Sequence, residues 1–311
     1  MRIFIICVFL FIQLKAGTHS FVIENDFLTG TDKHYTNGLF YTSMEDNAKA
    51  PWLLNISSMD KKSSSLTISQ LMFTPDNISS SDRVLDDYPY AGHIGLTWSL
   101  FQYSNNFMHN MGFSLGSVGP ISKAEQAQKE VHKLIGDTIP QGWGHQLGNA
   151  PTAGLIYQFA ARTKLLKLFG LDFDWTTNLR FDYGNFYSGA VIGTVLRFGN
   201  HFPKNFPTTG SYFGGHESAM LNIKSTRGLK YSLSLGTYRN KVDNFYVIDE
   251  AKDHTVEPIN YTVGSFASMN IYYRKFEFEV QFKSVLVNTF RITPETILEN
   301  HGAFVFRWKW D

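Results

Sequence analysis

"LDFDWTTNLRFDYG", residues 171–184, places Leu171, Phe173 and Trp175 on one side of a two-residue period and Asp172, Asp174 and Thr176 on the other. "FEFEVQFK", residues 276–283, repeats the device, with Phe276, Phe278, Val280 and Phe282 set against Glu277, Glu279, Gln281 and Lys283. One face aromatic and the other charged is the mark of a half-buried strand. Two folds accept such a strand. In a soluble sandwich the apolar face turns inward, whereas in a transmembrane barrel it meets lipid and the polar face lines the lumen. Alternation alone does not choose between them.

The rest of the chain tips the balance. About a dozen comparable runs occur, at 35–44, 65–73, 92–103, 110–119, 153–165, 171–184, 187–199, 217–225, 230–240, 261–275, 276–287 and 301–310. Many match a tilted bilayer crossing better than the short strands of soluble sheets. Tyr and Trp recur near their ends, as an aromatic girdle requires. Phe304, Phe306, Trp308 and Trp310 alternate to within one residue of the end, like the terminal strand of outer-membrane proteins, although Asp311 replaces the usual final aromatic. The expected fold is all-β, a transmembrane antiparallel β-barrel of about 12 strands with one short helix in an extracellular loop region. It belongs in the outer membrane of a Gram-negative bacterium, with a soluble β-sandwich as the alternative.

"MRIFIICVFLFIQLKAGTHS" has Arg2, an apolar run from Ile3 to Leu14, and small residues at Ala16, Gly17 and Ser20. It reads as a secretory signal peptide over residues 1–20, leaving 21–311 as one barrel domain. The apolar run is too short to span a bilayer. Cys7, the only cysteine, lies inside it, so the mature chain is expected to hold no thiol, disulfide or Cys-bound metal. A formal charge of +1 and a charged fraction of 18% leave no clustered basic footprint for nucleic acid.

One segment departs from the strand pattern. "ISKAEQAQKEVHKLIG", 121–136, follows Gly119-Pro120, is rich in helix formers and ends on Gly136, which predicts a helix of about four turns. Residues 46–64 and 241–260 read as loops. A lone histidine near a helix end, such as His132, is ordinarily a surface residue or a partner of the helix dipole. Here it sits on the one helix of an all-β chain, beside "GDTIPQGWGHQ".

"ENDFLTGTDKHYTNGLF", residues 24–40, raises a second possibility of chemistry. Gly30 to Lys33 makes a turn in which Asp32 bonds its own backbone. The turn does not account for Glu24-Asn25-Asp26 at the end of a first strand. Neighbours on a strand face opposite sides, so Asn25 and Asp26 enter one site through their side chains only if the strand ends or bulges there. Asparagine, carboxylate, hydroxyl and imidazole are the groups with which a hydrolase lets a cation polarise an ester carbonyl while histidine deprotonates water. Oxygen donors suit Ca²⁺, no set of His or Cys ligands for zinc is present, and no G-x-S-x-G elbow occurs.

The order "END", "TD" with "HYTNG", "DDYPYAG", a Gly-Pro before "VHKLIG", then "PQGWGHQ" and hairpins to an aromatic end resembles the outer-membrane lipid A 3′-O-deacylase family over nearly the whole mature chain. The resemblance implies a 12-stranded barrel with a Ca²⁺-dependent site at its extracellular rim, between wall and helix, that hydrolyses the ester carrying the 3′ acyloxyacyl chain of lipid A. It places a general base on His132, a residue that positions water or oxyanion on Thr36, and Ca²⁺ on Asp26 and Asn25, the latter through its carbonyl. Asp137 is the further carboxylate ligand, with Thr138 as its alternative. Lipopolysaccharide is then the substrate, and the protein acts as a monomer among outer-membrane lipid.

"DDYPYAG" reads mainly as structural, Pro89 and Gly92 fixing the start of a strand and Asp87 orienting partners. Lys33, Arg83, Lys129 and Lys133 are candidates for phosphate contacts, although scattered cations are more often a solvated face. Two other readings stay open, a phospholipase A-type lipid esterase and a non-enzymatic porin or adhesin barrel. A porin usually needs more strands than a dozen to keep its lumen open.

Overall fold

The computed structural model describes residues 17–25, 34–209, 217–288 and 298–310. Twelve strands close into one antiparallel barrel: β1 (Gly17–Asn25), β2 (His34–Asp46), β3 (Lys61–Thr74), β4 (Ala91–Tyr103), β5 (Phe107–Val118), β6 (Ala150–Leu168), β7 (Leu171–Gly184), β8 (Tyr187–Asn200), β9 (Leu229–Phe245), β10 (Tyr261–Tyr273), β11 (Phe276–Val287) and β12 (Leu298–Trp310). Each pairs with its sequence neighbour, and β1 closes the ring against β12 from Gly17 opposite Trp310 to Asn25 opposite Gly302. No sheet edge is left exposed.

The two faces of β11 decide between sandwich and barrel. Phe278 is 43% exposed while Glu277 is 1% exposed, so the aromatic face looks outward and the charged face inward. Phe276 and Phe278 stack on Phe306 and Phe304 of β12, centroids 5.8 and 6.2 Å apart, forming an outer aromatic ladder. Such a surface suits hydrocarbon and not water.

The lumen is filled. Arg307 lies between Glu277 (2.6 Å) and Glu279 (3.0 Å), and Asp174 lies between Arg197 (2.6 Å) and Arg162 (3.2 Å). Charges taken this far from water persist because they are paired. Both arginines beside Asp174 also donate to Asn205, which belongs to the connection 201–228 between β8 and β9. That connection folds into the barrel, where Phe206, Met220, Leu221 and Ile223 pack with Met44, Phe101, Tyr103 and Met108. An open porin lumen does not fit this interior.

Three sequence expectations are corrected by these elements. "ESAMLNIKS", 217–225, is not a strand: a short turn at Glu217–Met220 leads into irregular chain packed inside the barrel. Met220, Leu221 and Ile223 are apolar because they plug the barrel, a burial that mimics strand periodicity over a few residues. The twelfth strand is the first one, β1, which begins at Gly17 and ends at Asn25. The loop expected at 46–64 is shorter, since β3 begins at Lys61, and that at 241–260 begins only after Phe245.

The short turns 104–106, 169–170 and 274–275 and the longer connections 47–60 and 201–228 lie at the end that carries the termini, and the two-residue turn 185–186 lies at the other. At that other end, called the rim below, Tyr35, Phe73, Tyr88, Val247 and Ile248 belong to an apolar cluster. The longest rim connection, 119–149, carries α1 (Ala124–Ile135).

Candidate functional site

At the rim, β2 and β3 slip register by one residue. Tyr35 pairs with Phe73 and Asn37 with Met72, leaving Thr36 as the extra residue of a bulge. Tyr35 turns inward, where its hydroxyl donates to Glu24 at 2.6 Å. Thr36 is 2% exposed, and its hydroxyl meets that of Thr74 at 2.6 Å. Thr74 shares the outward parity of Gln70 and Met72, because Leu71 and Phe73 fill the lumen. Thr36 therefore belongs to the outer side of the wall.

Asn25 and Asn37 lie opposite each other in the β1–β2 register. The Asn25 amide donates to the Thr36 carbonyl at 3.2 Å, and the Asn37 amide donates to the Glu24 carbonyl at 2.9 Å. These cross-strand bonds direct the Asn25 Oδ1 away from Thr36 and tie the bulge to the end of β1. The polar run at the end of β1 thus divides between faces, Glu24 to the lumen and Asn25 outward.

The helix completes the site from outside. After Gly119-Pro120 one tight turn leads to Lys123 in the left-handed region (φ 60°), and α1 starts at Ala124, three residues later than the sequence pattern suggests. Gln70 on the outer wall donates to the Ser122 carbonyl at 2.5 Å. Gly92 of β4 faces the same contact, where a Cβ would overlap Ser122 Oγ and the Ala124 methyl. Ala124 packs with Met72, Tyr90 and Trp143. The helix lies on the outer face of the barrel wall.

The buried line of α1 is Ala124, Gln128 and His132, spaced by four so that they share a face. His132 sits about 12 Å along the axis from Ala124. The helix stops at Gly136, in the left-handed conformation (φ 76°) that suits glycine, and the Asp137 amide donates to the His132 carbonyl at 2.9 Å. The chain then doubles back, bringing the Thr138 carbonyl to 2.5 Å from His132 Nδ1. A carbonyl only accepts, so Nδ1 carries the proton in this contact.

Each expected site residue can now be placed. Asn25, Thr36 and the helix face with His132 lie on the outer side of the wall at the rim. Asp26 lies outside the described residues, as does Lys33. Asp137 is exposed, and its carboxylate accepts the Thr138 amide at 2.6 Å, bracing the turn that holds His132. Thr138 acts through its main-chain oxygen. Lys129 pairs with Glu125, Lys133 with Glu130 and Arg83 with Asp253, so these cations already have anionic partners.

Sequence reading passed over Gln128. The Trp143 indole, a donor only, gives its N–H to Gln128 Oε1 at 2.7 Å, which fixes the amide so that Nε2 points elsewhere. That Nε2 is buried and has no hydrogen-bond partner among the described residues. Its spacing of four from His132 was the available signal. Asp87 does orient partners, accepting from the Asp76 and Tyr88 amides at 2.7 Å each and lying 3.2 Å from His34 Nε2. Burial pushes its carboxyl up, but His34 and the two amides prevail and hold it below its ordinary value.

Among the described residues no group of three or more His, Cys, Asp or Glu side chains forms a metal cluster. The donors near β1 and β2 are amide, hydroxyl and carbonyl oxygens, which fit a hard cation such as Ca²⁺ once a carboxylate joins them, and do not fit zinc. A luminal cavity of about 140 Å³, lined by His93, Thr152, Arg180 and Asp182 among others, lies on the opposite side of the wall from α1.

A family model described as outer membrane protein LpxR matches residues 3–310. Among solved structures, LpxR from Salmonella typhimurium superposes with a TM-score of 0.76 at 18% identity, covering 94% of this chain and 100% of that one. The β domain of the Bordetella autotransporter BrkA matches with a TM-score of 0.48 at 7% identity, covering 95% and 99% of the two chains. A search of curated proteins returns no match.

Proposed function

The chain belongs to the LpxR family of outer-membrane proteins, and from that premise we propose that it is a lipid A 3′-O-deacylase working at the rim, on the outer side of the barrel wall. The observation that carries the reading is the buried His132, its Nδ1 held by the Thr138 carbonyl, on a helix seated against the outer wall. Outer-membrane barrels keep their short turns in the periplasm, so the rim faces outward, where lipopolysaccharide resides.

His132 Nε2 takes a proton from water as the water oxygen attacks the carbonyl carbon of the ester at the 3′ position. The tetrahedral adduct collapses as the carbon–oxygen bond to the sugar breaks. The proton passes from Nε2 to the departing 3′ oxygen, and the acyloxyacyl chain leaves as a carboxylic acid that gives its remaining proton to water. Thr36, its hydroxyl directed by Thr74, positions the water or the oxyanion, and the Gln128 Nε2 is a further N–H donor one turn from His132. Asn25, Asp26 and Asp137 would hold Ca²⁺, which would supply polarisation of the ester carbonyl when bound. The protein acts as a monomer.

Mass spectrometry of lipid A from cells expressing the protein, with and without a calcium chelator, tests this. Loss of the 3′ acyloxyacyl group, absent for His132→Ala and after chelation, is the expected result. Unchanged lipid A with deacylated phospholipid would overturn it in favour of a phospholipase A-type enzyme.

A further inference from the structure

The sequence of α1 is amphipathic in an unusual sense. A helix on a protein surface normally buries its apolar side. Here the buried line includes Gln128 and His132, while Val131, Leu134 and Ile135 are 48%, 75% and 56% exposed. At about 100° per residue, Ile135, Val131, Ala127 and Leu134 fall to one side of Gln128, and Glu125, Lys129 and Lys133 to the other. The charged side carries the Glu125–Lys129 and Glu130–Lys133 pairs.

The apolar side is a continuous stripe. Ala124 and Ala127, its first half, pack on the cluster that includes the outer-wall residue Met72. Val131, Leu134 and Ile135 extend it past that cluster into the open. Beneath the helix the outward residues are Gln70, Met72, Thr74 and Gly92, and further along the same strands they include Leu66 and Leu96, 45% and 43% exposed. Those leucines belong to the face that meets lipid in an outer-membrane barrel. The stripe and these leucines lie on the same outer side of the wall.

We propose that Val131, Leu134 and Ile135 contact the acyl chains of the outer leaflet, so that α1 is an interfacial helix with its charged side to water and its apolar side in the membrane. A lipid then reaches the flank of His132 laterally, with its chains already against the stripe. The proposal rests on the outer-membrane setting and requires none of the catalytic assignments.

Spin labelling tests it in the full-length protein. With Cys7→Ser removing the single cysteine, a nitroxide is attached at Leu134→Cys, at Glu130→Cys as the water reference and at Phe278→Cys as the lipid reference, in phosphatidylethanolamine and phosphatidylglycerol vesicles. Relaxation by oxygen, which partitions into hydrocarbon, is compared with relaxation by a water-soluble nickel chelate. The expected oxygen-to-nickel ratio at Leu134 lies nearer that of Phe278, and a ratio nearer that of Glu130 overturns the proposal. A label at Val131→Cys gives the same readout at a second site. Because no turnover is measured, a failed deacylase reading and a failed membrane contact remain distinguishable.

Discussion

Gly92→Ala separates the site from the barrel that carries it. Gly92 faces outward on β4, opposite Met72, and an added methyl would overlap Ser122 Oγ and the Ala124 methyl and stand 3.2 Å from Ser122 Cβ. Carbon atoms rest about 3.5–4.0 Å apart, so the start of α1 must retreat by about 1 Å. A displacement of that size at a catalytic group costs about 100-fold in rate, or about 2.7 kcal/mol. The barrel responds in the other direction, because alanine in a strand is favoured over glycine by about 0.5–1 kcal/mol through the unfolded chain. The measurements are the initial rate of 3′-deacylation by mass spectrometry and barrel folding by heat-modifiable electrophoresis. The expected pattern is a slow enzyme in a fully folded barrel, with partial recovery in Gly92→Ala combined with Ala124→Gly. A folded Gly92→Ala protein with the parent's rate would refute the reasoning, since the seating of α1 would then not matter.

Further outcomes follow from other contacts. Trp143→Phe removes the donor to Gln128 and leaves a buried oxygen unpaired at a cost of about 1–3 kcal/mol, so hydrogen exchange in α1 should quicken and deacylation fall while the barrel stays intact. Asp87 has a lowered folded pKa, so the stability it gives the 75–90 loop is fully present above its ordinary value and is lost as pH falls through the folded one. Limited proteolysis of that loop should therefore be flat from neutral to mildly acidic pH and rise only in stronger acid. Asp87→Asn should remove the dependence, and an unchanged profile in that variant would reject the assignment. Sequencing of the mature N-terminus should find Gly17 first, because Gly17–Ser20 pair with Trp310–Arg307; a start at Phe21 would show that β1 is dispensable in that half.

The chain by itself determined the class of fold and the chemistry on offer. Strict alternation at 171–184 and 276–287 gave strands whose bounds the structure repeats, because a two-residue period at that length has no other regular solution. Helix formers between Gly119-Pro120 and Gly136 located α1 to within a turn at its start. The region of β1 was recognised only through its polar end, because nine residues beside an apolar leader blend into it.

What the tertiary structure alone decided is which side of each strand meets what. Alternation is symmetric with respect to lumen and lipid, so only closure of the ring sent Glu277 and Arg307 inward and Phe278 outward. Residues 217–225 looked like a strand because burial inside the lumen demands the same apolar side chains as contact with lipid. The site is likewise a product of long-range pairing. Thr36 leaves the ladder at a bulge that appears only when β2 meets β3, and His132 Nδ1 gains its acceptor only when the chain after Gly136 turns Thr138 back onto it. A single sequence names the residues, but the geometry that gives them a common side of the wall arises from contacts between segments far apart along it.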